Sequence, residues 1–174
     1  MTGHSVLQLP VASLEQWVRA RTAHYDAGFV SVDPSFGHAH ITALGPFDPS
    51  PSASSLATIA GLAASTEPIR VRLADLAQFP NGIIHLVPDP DDRLRDLTAR
   101  LVAAFPGWPP YDGEFGADVQ PHLTVDAASD RVGLASTHDL LSGVLPVDVL
   151  LDRLQLAWWE SGGCRVMHEW RLGG

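Results

Sequence analysis

His38-Ala39-His40-Ile41-Thr42-Ala43-Leu44-Gly45-Pro46-Phe47 and Gln120-Pro121-His122-Leu123-Thr124-Val125-Asp126 repeat one pattern: histidine, apolar, threonine, apolar. The second histidine follows the first by 82 residues. Both stretches are short and alternate, so each predicts a strand, over His38–Leu44 and over residues 121–126. Residues two apart on a strand point to the same face. His40 with Thr42, and His122 with Thr124, would therefore each present an imidazole beside a hydroxyl, leaving the apolar neighbours to the core.

Such a set has a use. Opening a phosphodiester with water takes one group to accept a proton from the nucleophile and another to give one to the departing oxygen. Imidazole, with a pKa of about 6.5, can do either near neutrality. Threonine hydroxyls can donate to the non-bridging phosphate oxygens and to the charge that grows there in the transition state. A lone His-x-Thr on a strand is usually no more than a satisfied polar pair; the second copy sets these two apart. Thr42 and Thr124 are accordingly the candidate substrate-binding residues, His40 and His122 the candidate catalytic pair, and no metal or cofactor is required.

Outward from the motifs, residues 5–9 read as a strand and Pro10 to about Ala23 as a helix, with Val11, Leu14, Trp17 and Val18 at helical spacing. Gly45-Pro46 is expected to stop the first motif strand. The Ser/Pro-rich stretch after Pro49 feeds a helix carrying Leu56, Ile59, Ala60 and Ala63. Residues 68–77 and 83–87 predict a hairpin around Pro80-Asn81-Gly82. Asp89–Asp92 precede Leu94, Leu97 and Leu101, placing acidic residues at the positive end of a helix that stops near Pro106-Gly107. Residues 107–120 read as a loop, 129–141 as a helix, and 147–158 with 164–172 as two strands joined at Ser161-Gly162-Gly163. The order, βα-β-α-ββ-α-β-α-ββ, lacks the regular alternation of a doubly wound parallel sheet and points to an α+β fold of mostly antiparallel sheets with helices outside. Two half-chains of similar content can be made out.

Composition narrows the partners. The 174 residues fit one domain over 1–174, and 45% hydrophobic residues are enough for a core. The one cysteine, Cys164, excludes an internal disulfide and a cysteine-based zinc cluster and suits the cytoplasm. Neither a signal-type start nor a membrane span is expected. The net charge is −9 and all 11 basic residues are arginine, scattered singly or in twos. A stripe that tracks long nucleic acid is not expected; a small anionic ligand is.

The flanks carry the pattern further. His38-Ala-His-Ile-Thr-Ala-Leu-Gly-Pro-Phe47 and Gln120-Pro-His-Leu-Thr-Val125 resemble the two signatures of the two-histidine (2H) phosphoesterase superfamily, in its 2′-5′ RNA ligase-like, cyclic phosphodiesterase branch. The resemblance runs nearly the whole chain, with Leu86-Val87 and Asp89 ahead of a helix and a tryptophan-bearing final hairpin. It implies a bilobal, pseudo-twofold-symmetric fold of two intertwined lobes, with a central cleft where His40 and Thr42 face His122 and Thr124. It also implies metal-free hydrolysis of 2′,3′-cyclic phosphates, ADP-ribose 1″,2″-cyclic phosphate or 2′-5′ linkages. The expected partner is a small nucleotide phosphodiester or an RNA terminus, taken by a monomer. Two other functions are weighed beside this one: a nucleotide-binding or scaffold module on the same fold, and, more weakly, a 2′-5′ RNA ligase.

Other residues read more plainly. His38, sharing a face with His40, could be half of a metal site, but lining the cleft mouth or capping the strand suits it better. His85, inside an apolar strand, reads as a core or groove histidine. Phe36, Phe79, Tyr111 and Phe115 read as packing rather than as base-stacking platforms, Arg131 and Arg165 are the arginines to inspect for phosphate contact, and Trp158, Trp159 and Trp170 close the core or form a rim.

Overall fold

A computed structural model describes residues 3–116 and 118–174. Strand β1 (His4–Pro10) leads through a 3₁₀ turn to helix α1 (Glu15–Tyr25), and β2 (His40–Phe47) carries the first motif. Helix α2 (Ala53–Ala64), begun by the Ser52 side chain accepting the Ser55 N–H, precedes the hairpin of β3 (Ile69–Gln78) and β4 (Ile83–Asp89). Helix α3 (Asp92–Ala104) buries Leu94, Leu97 and Leu101 along one stripe. Then come β5 (Leu123–Ala127), α4 (Leu134–Leu140), β6 (Val147–Leu151), β7 (Arg153–Trp159) and β8 (Arg165–Arg171).

The strands form two four-stranded sheets, ordered β2-β1-β7-β8 and β5-β4-β3-β6. Every neighbouring pair is antiparallel. The α+β architecture with two antiparallel sheets is thus as expected, and its symmetry is visible in the units β1-α1-β2 and β4-α3-β5. Each is a strand, a helix and an antiparallel neighbour at the sheet edge that carries or adjoins a His-x-Thr motif. One hydrophobic core draws on both sheets: Leu7, Leu9, Ile41, Leu154 and Leu156 from one, Ile84, Leu86, Leu123 and Val125 from the other. Among the described residues no helix is long and apolar enough to cross a membrane.

Three boundaries differ from the sequence reading. The expected strand over 147–158 is two strands that part at Asp152, β6 pairing with β3 and β7 with β1 in the other sheet. Burial changes there from one face of β6, Val149 and Leu151, to both faces of β7, Leu154 through Ala157; the adjacent polar residues Asp152-Arg153 are the point where the chain changes sheets. Gly45-Pro46 does not stop β2. The register steps from Leu7↔Leu44 to Ser5↔Phe47, three residues on β2 against two on β1. This bulge on an edge strand accommodates a proline that has no N–H to donate. Helix α4 is shorter than 129–141, because residues 129–132 close a turn through Ser129 and Val132 instead.

Leu86 in β4 is fully buried in the core, opposite Leu123 of β5. Leu86→Ala is expected to cost about 2–5 kcal/mol, read as a lower urea midpoint at unchanged m.

Candidate active site

Strands β2 and β5, each an edge of its sheet, lie against one another, and this brings the two motifs together. His40 is the first residue of β2 and His122 stands one residue ahead of β5. Both imidazoles are held alike. His40 Nδ1 lies 2.9 Å from the His38 carbonyl oxygen, and His122 Nδ1 lies 2.9 Å from that of Gln120. A carbonyl only accepts, so in each ring Nδ1 carries the hydrogen and Nε2 is left free for other partners.

Their protonation is unequal. Burial pulls the His40 pKa from 6.5 down to about 4, helped by repulsion from His122 and opposed by the bond to His38 and by Glu15. Burial also lowers His122, against the bond to Gln120. The first proton therefore goes to His122, and its charge resists a second one on His40.

Two cavities meet at His40. One, of about 520 Å³, is lined by His40, Thr42, Tyr111 and Trp159 among others; the second, of about 390 Å³, by His40, Thr124, Tyr25, Phe29 and Trp159. Of the expected quartet, Thr42 is in one chamber and Thr124 in the other, with His40 common to both, while His122 lines neither and stands against Tyr111, Phe79 and His85. Thr124 is exposed, while Thr42 is half-buried beside Tyr111. Burial raises the Tyr111 phenol pKa, partly offset by its hydrogen bond with Thr42. Tyr111 also stacks on His122, with ring centroids 6.3 Å apart.

Several residues that the sequence reads as core, rim, groove or packing stand at the cleft, and Gln8 behind them is one it does not single out. Trp159 lies 5.1 Å from His40 between ring centroids. Its indole N–H donates to Gln8 Oε1 at 2.9 Å, and Gln8, fully buried, in turn donates to the Gly37 carbonyl. A glutamine in the middle of Val6-Leu7-Gln8-Leu9 was the available signal: a polar side chain in an apolar strand needs a buried partner. His85 is buried, stacks on Phe79 at 3.9 Å and meets His122 edge-on at 5.3 Å, so it and Phe79 form the wall behind His122. The packing role given to Tyr111 and Phe79 is therefore incomplete, since both touch His122. Nothing in their local sequence places them there.

His38 is not available as a ligand. Its Nε2 accepts the Ser31 N–H at 3.0 Å and its Nδ1 pairs with Glu15, which ties the start of β2 to α1. Among the described residues no three His, Cys, Asp or Glu side chains are arranged to hold a metal ion. Arg131 is exposed away from both chambers, and Arg165 lies over the Trp158 ring at 5.7 Å, so neither reaches the site.

Residues 9–163 match the family model described as the 2′-5′ RNA ligase superfamily. No curated protein matches the chain. Among solved structures, the chain is similar to E. coli LigT complexed with 3′-AMP, at 16% identity and a TM-score of 0.57 over 100% of both chains. LigT complexed with ATP matches at 17% identity and a TM-score of 0.57 over 98% of each chain. TT0787 of Thermus thermophilus matches at 20% identity and a TM-score of 0.56, over 100% of this chain and 99% of that one. At these identities the likeness is one of fold.

A histidine whose folded pKa is depressed binds fewer protons folded than unfolded. Its contribution to stability is complete above pH 6.5 and is lost as pH falls toward about 4. Urea midpoints are expected to fall across that window, and His40→Ala to flatten the fall.

Proposed function

The chain belongs to the 2′-5′ RNA ligase superfamily of two-histidine phosphoesterases, and on that basis we propose that it is a metal-independent phosphodiesterase acting on a small nucleotide. The substrates that fit the reading are 2′,3′-cyclic phosphates, ADP-ribose 1″,2″-cyclic phosphate and 2′-5′ linkages. The observation that carries it is the pair of imidazoles with Nδ1–H spent on a carbonyl and Nε2 free.

His40, the harder of the two to protonate, is the base: its Nε2 takes a proton from water as the water oxygen bonds to phosphorus. His122, protonated first, is the acid: it gives its Nε2 proton to the oxygen that leaves as the other P–O bond breaks. The Thr42 and Thr124 hydroxyls donate to the non-bridging oxygens. Tyr111, Trp159, Tyr25 and Phe29 offer aromatic faces for a nucleobase on either side of the phosphorus.

Size and charge favour a small substrate. Arg72, Arg95, Arg100 and Arg153 are each paired with a carboxylate, which disfavours their serving as a basic track for a long RNA. The LigT structures with 3′-AMP, ATP and NADP+ support a small nucleotide as the ligand class. We take residues 1–174 to act as one monomeric unit in the cytoplasm, where a lone thiol such as Cys164 stays reduced.

EDTA-treated protein is expected to convert at least one of these substrates to a monophosphate, with His40→Ala and His122→Ala each lowering kcat/KM by about 10²–10⁴-fold. Both variants remaining active would sink the reading, and saturable binding without product would favour a non-catalytic nucleotide-binding module. Because kcat/KM reports the free enzyme, its pH profile should rise through about 4 as His40 loses its proton. It should fall at a pH below 6.5 as His122 loses its own.

A further inference from the structure

Helix α1 grips both motif strands through charged side chains. At its first turn Glu15 accepts the Ala39 N–H at 2.8 Å on Oε2 and pairs with His38 through Oε1, holding the two residues directly ahead of His40. Further along, Arg21 Nη2 lies 2.6 Å from Asp126 Oδ2, in β5. The β4–β5 register shifts between Thr124, opposite His85, and Asp126, opposite Ile84, so Asp126 turns to the buried face of β5 just beyond the motif. The two grips are six residues apart on the helix, about 9 Å at about 1.5 Å per residue.

The Arg21–Asp126 contact is strongly desolvated, with the two side chains keeping 19% and 3% of their exposure. Apart from this ion pair, neither Arg21 Nε nor Asp126 Oδ2 has a hydrogen-bond partner among the described residues. The carboxylate's other oxygen is taken by the Ala127 N–H at 2.9 Å. Buried charges so incompletely bonded depend on each other, because moving apart would leave each without its counter-ion in a site with little water.

We propose that α1 is a strut with two grips, the Glu15 carboxylate hydrogen-bonded to His38 and Ala39 at the start of β2 and Arg21 ion-paired with Asp126 of β5, which fixes the spacing of His40 and His122 across the cleft. The proposal rests on reading those histidines as the acid–base pair. Arg21 and Asp126 are positioning residues; neither lines the two chambers. Spacing matters here because proton transfer needs heavy atoms within about 2.6–3.2 Å, and a displacement of about 1 Å can cost about 10²-fold in rate.

The test uses Arg21→Met, Asp126→Asn, Arg21→Lys and the apolar double variant Arg21→Met/Asp126→Leu, the last chosen to fold without a buried unpaired charge. With a nucleoside 2′,3′-cyclic phosphate, kcat is expected to fall about 10- to 10²-fold in the single neutral variants and in the double variant. KM should stay within about threefold, and Arg21→Lys should recover part of the loss. A second readout needs no turnover: the histidine NMR titration. The titratable groups around His40 are His122 across the cleft, Glu15 of α1 and His38, with His4, Tyr111 and Asp112 lining one shared chamber and Tyr25 and Asp26 the other, beside the uncharged Trp159. If the strut is lost, the His40 pKa should climb from about 4 toward 6.5 as burial and repulsion relax. A folded double variant with kcat within about twofold of wild type, or an unchanged His40 titration, would overturn the strut. A wild-type protein that turns over none of the substrates would defeat the functional reading and leave the NMR arm to decide the strut.

Discussion

Two edge strands, β2 and β5, packed against each other are the constraint on which the rest of the molecule depends. An edge strand is paired on one side only, and its free side ordinarily has to be protected from other chains. Here each edge faces its counterpart across a cleft, Pro46 interrupts the donor row of β2, and the polar side chains that cannot enter the core line the space between. The cleft is thus a consequence of how two antiparallel sheets share one hydrophobic core while keeping an edge each toward the middle.

What makes that space chemically distinctive is burial combined with orientation. Each motif histidine spends one nitrogen on the carbonyl two residues earlier, a bond supplied by the motif's own backbone, and this fixes the ring without outside help. The surroundings then set the charge. Trp159 against His40 removes water and is itself held by Gln8, while Phe79 and His85 stand behind His122. The two rings are alike in sequence and in local bonding, and their unequal protonation comes from these unlike neighbours.

The path of the chain explains how the two halves are kept in register. After β2 the chain builds the whole second sheet before returning at Asp152 to complete the first with β7 and β8. The first sheet is therefore not contiguous in sequence, and the second is inserted whole between its two parts. Helix α1 adds a direct tie, with Glu15 at the start of β2 and Arg21 on β5.

Local pattern was enough to establish the periodic elements, the antiparallel α+β class and the two His-x-Thr sets, because alternation, helical spacing and the position of Gly and Pro are local properties. His38, read as lining the cleft mouth or capping the strand, lines the second chamber and is tied to Glu15 of α1 and to Ser31, both earlier in the chain. It took the folded arrangement to show that residues 147–158 serve two sheets, because a run of apolar residues does not say which neighbours each half of it pairs with. Folding also had to show that Tyr111, Trp159, Phe79 and His85 surround the histidines, for aromatic rings in loops and strands look the same whether they pack on a core or on an imidazole. The same holds for Asp126 and Arg21: a carboxylate trailing a motif and an arginine on a helix acquire a role only when folding sets them 2.6 Å apart out of water.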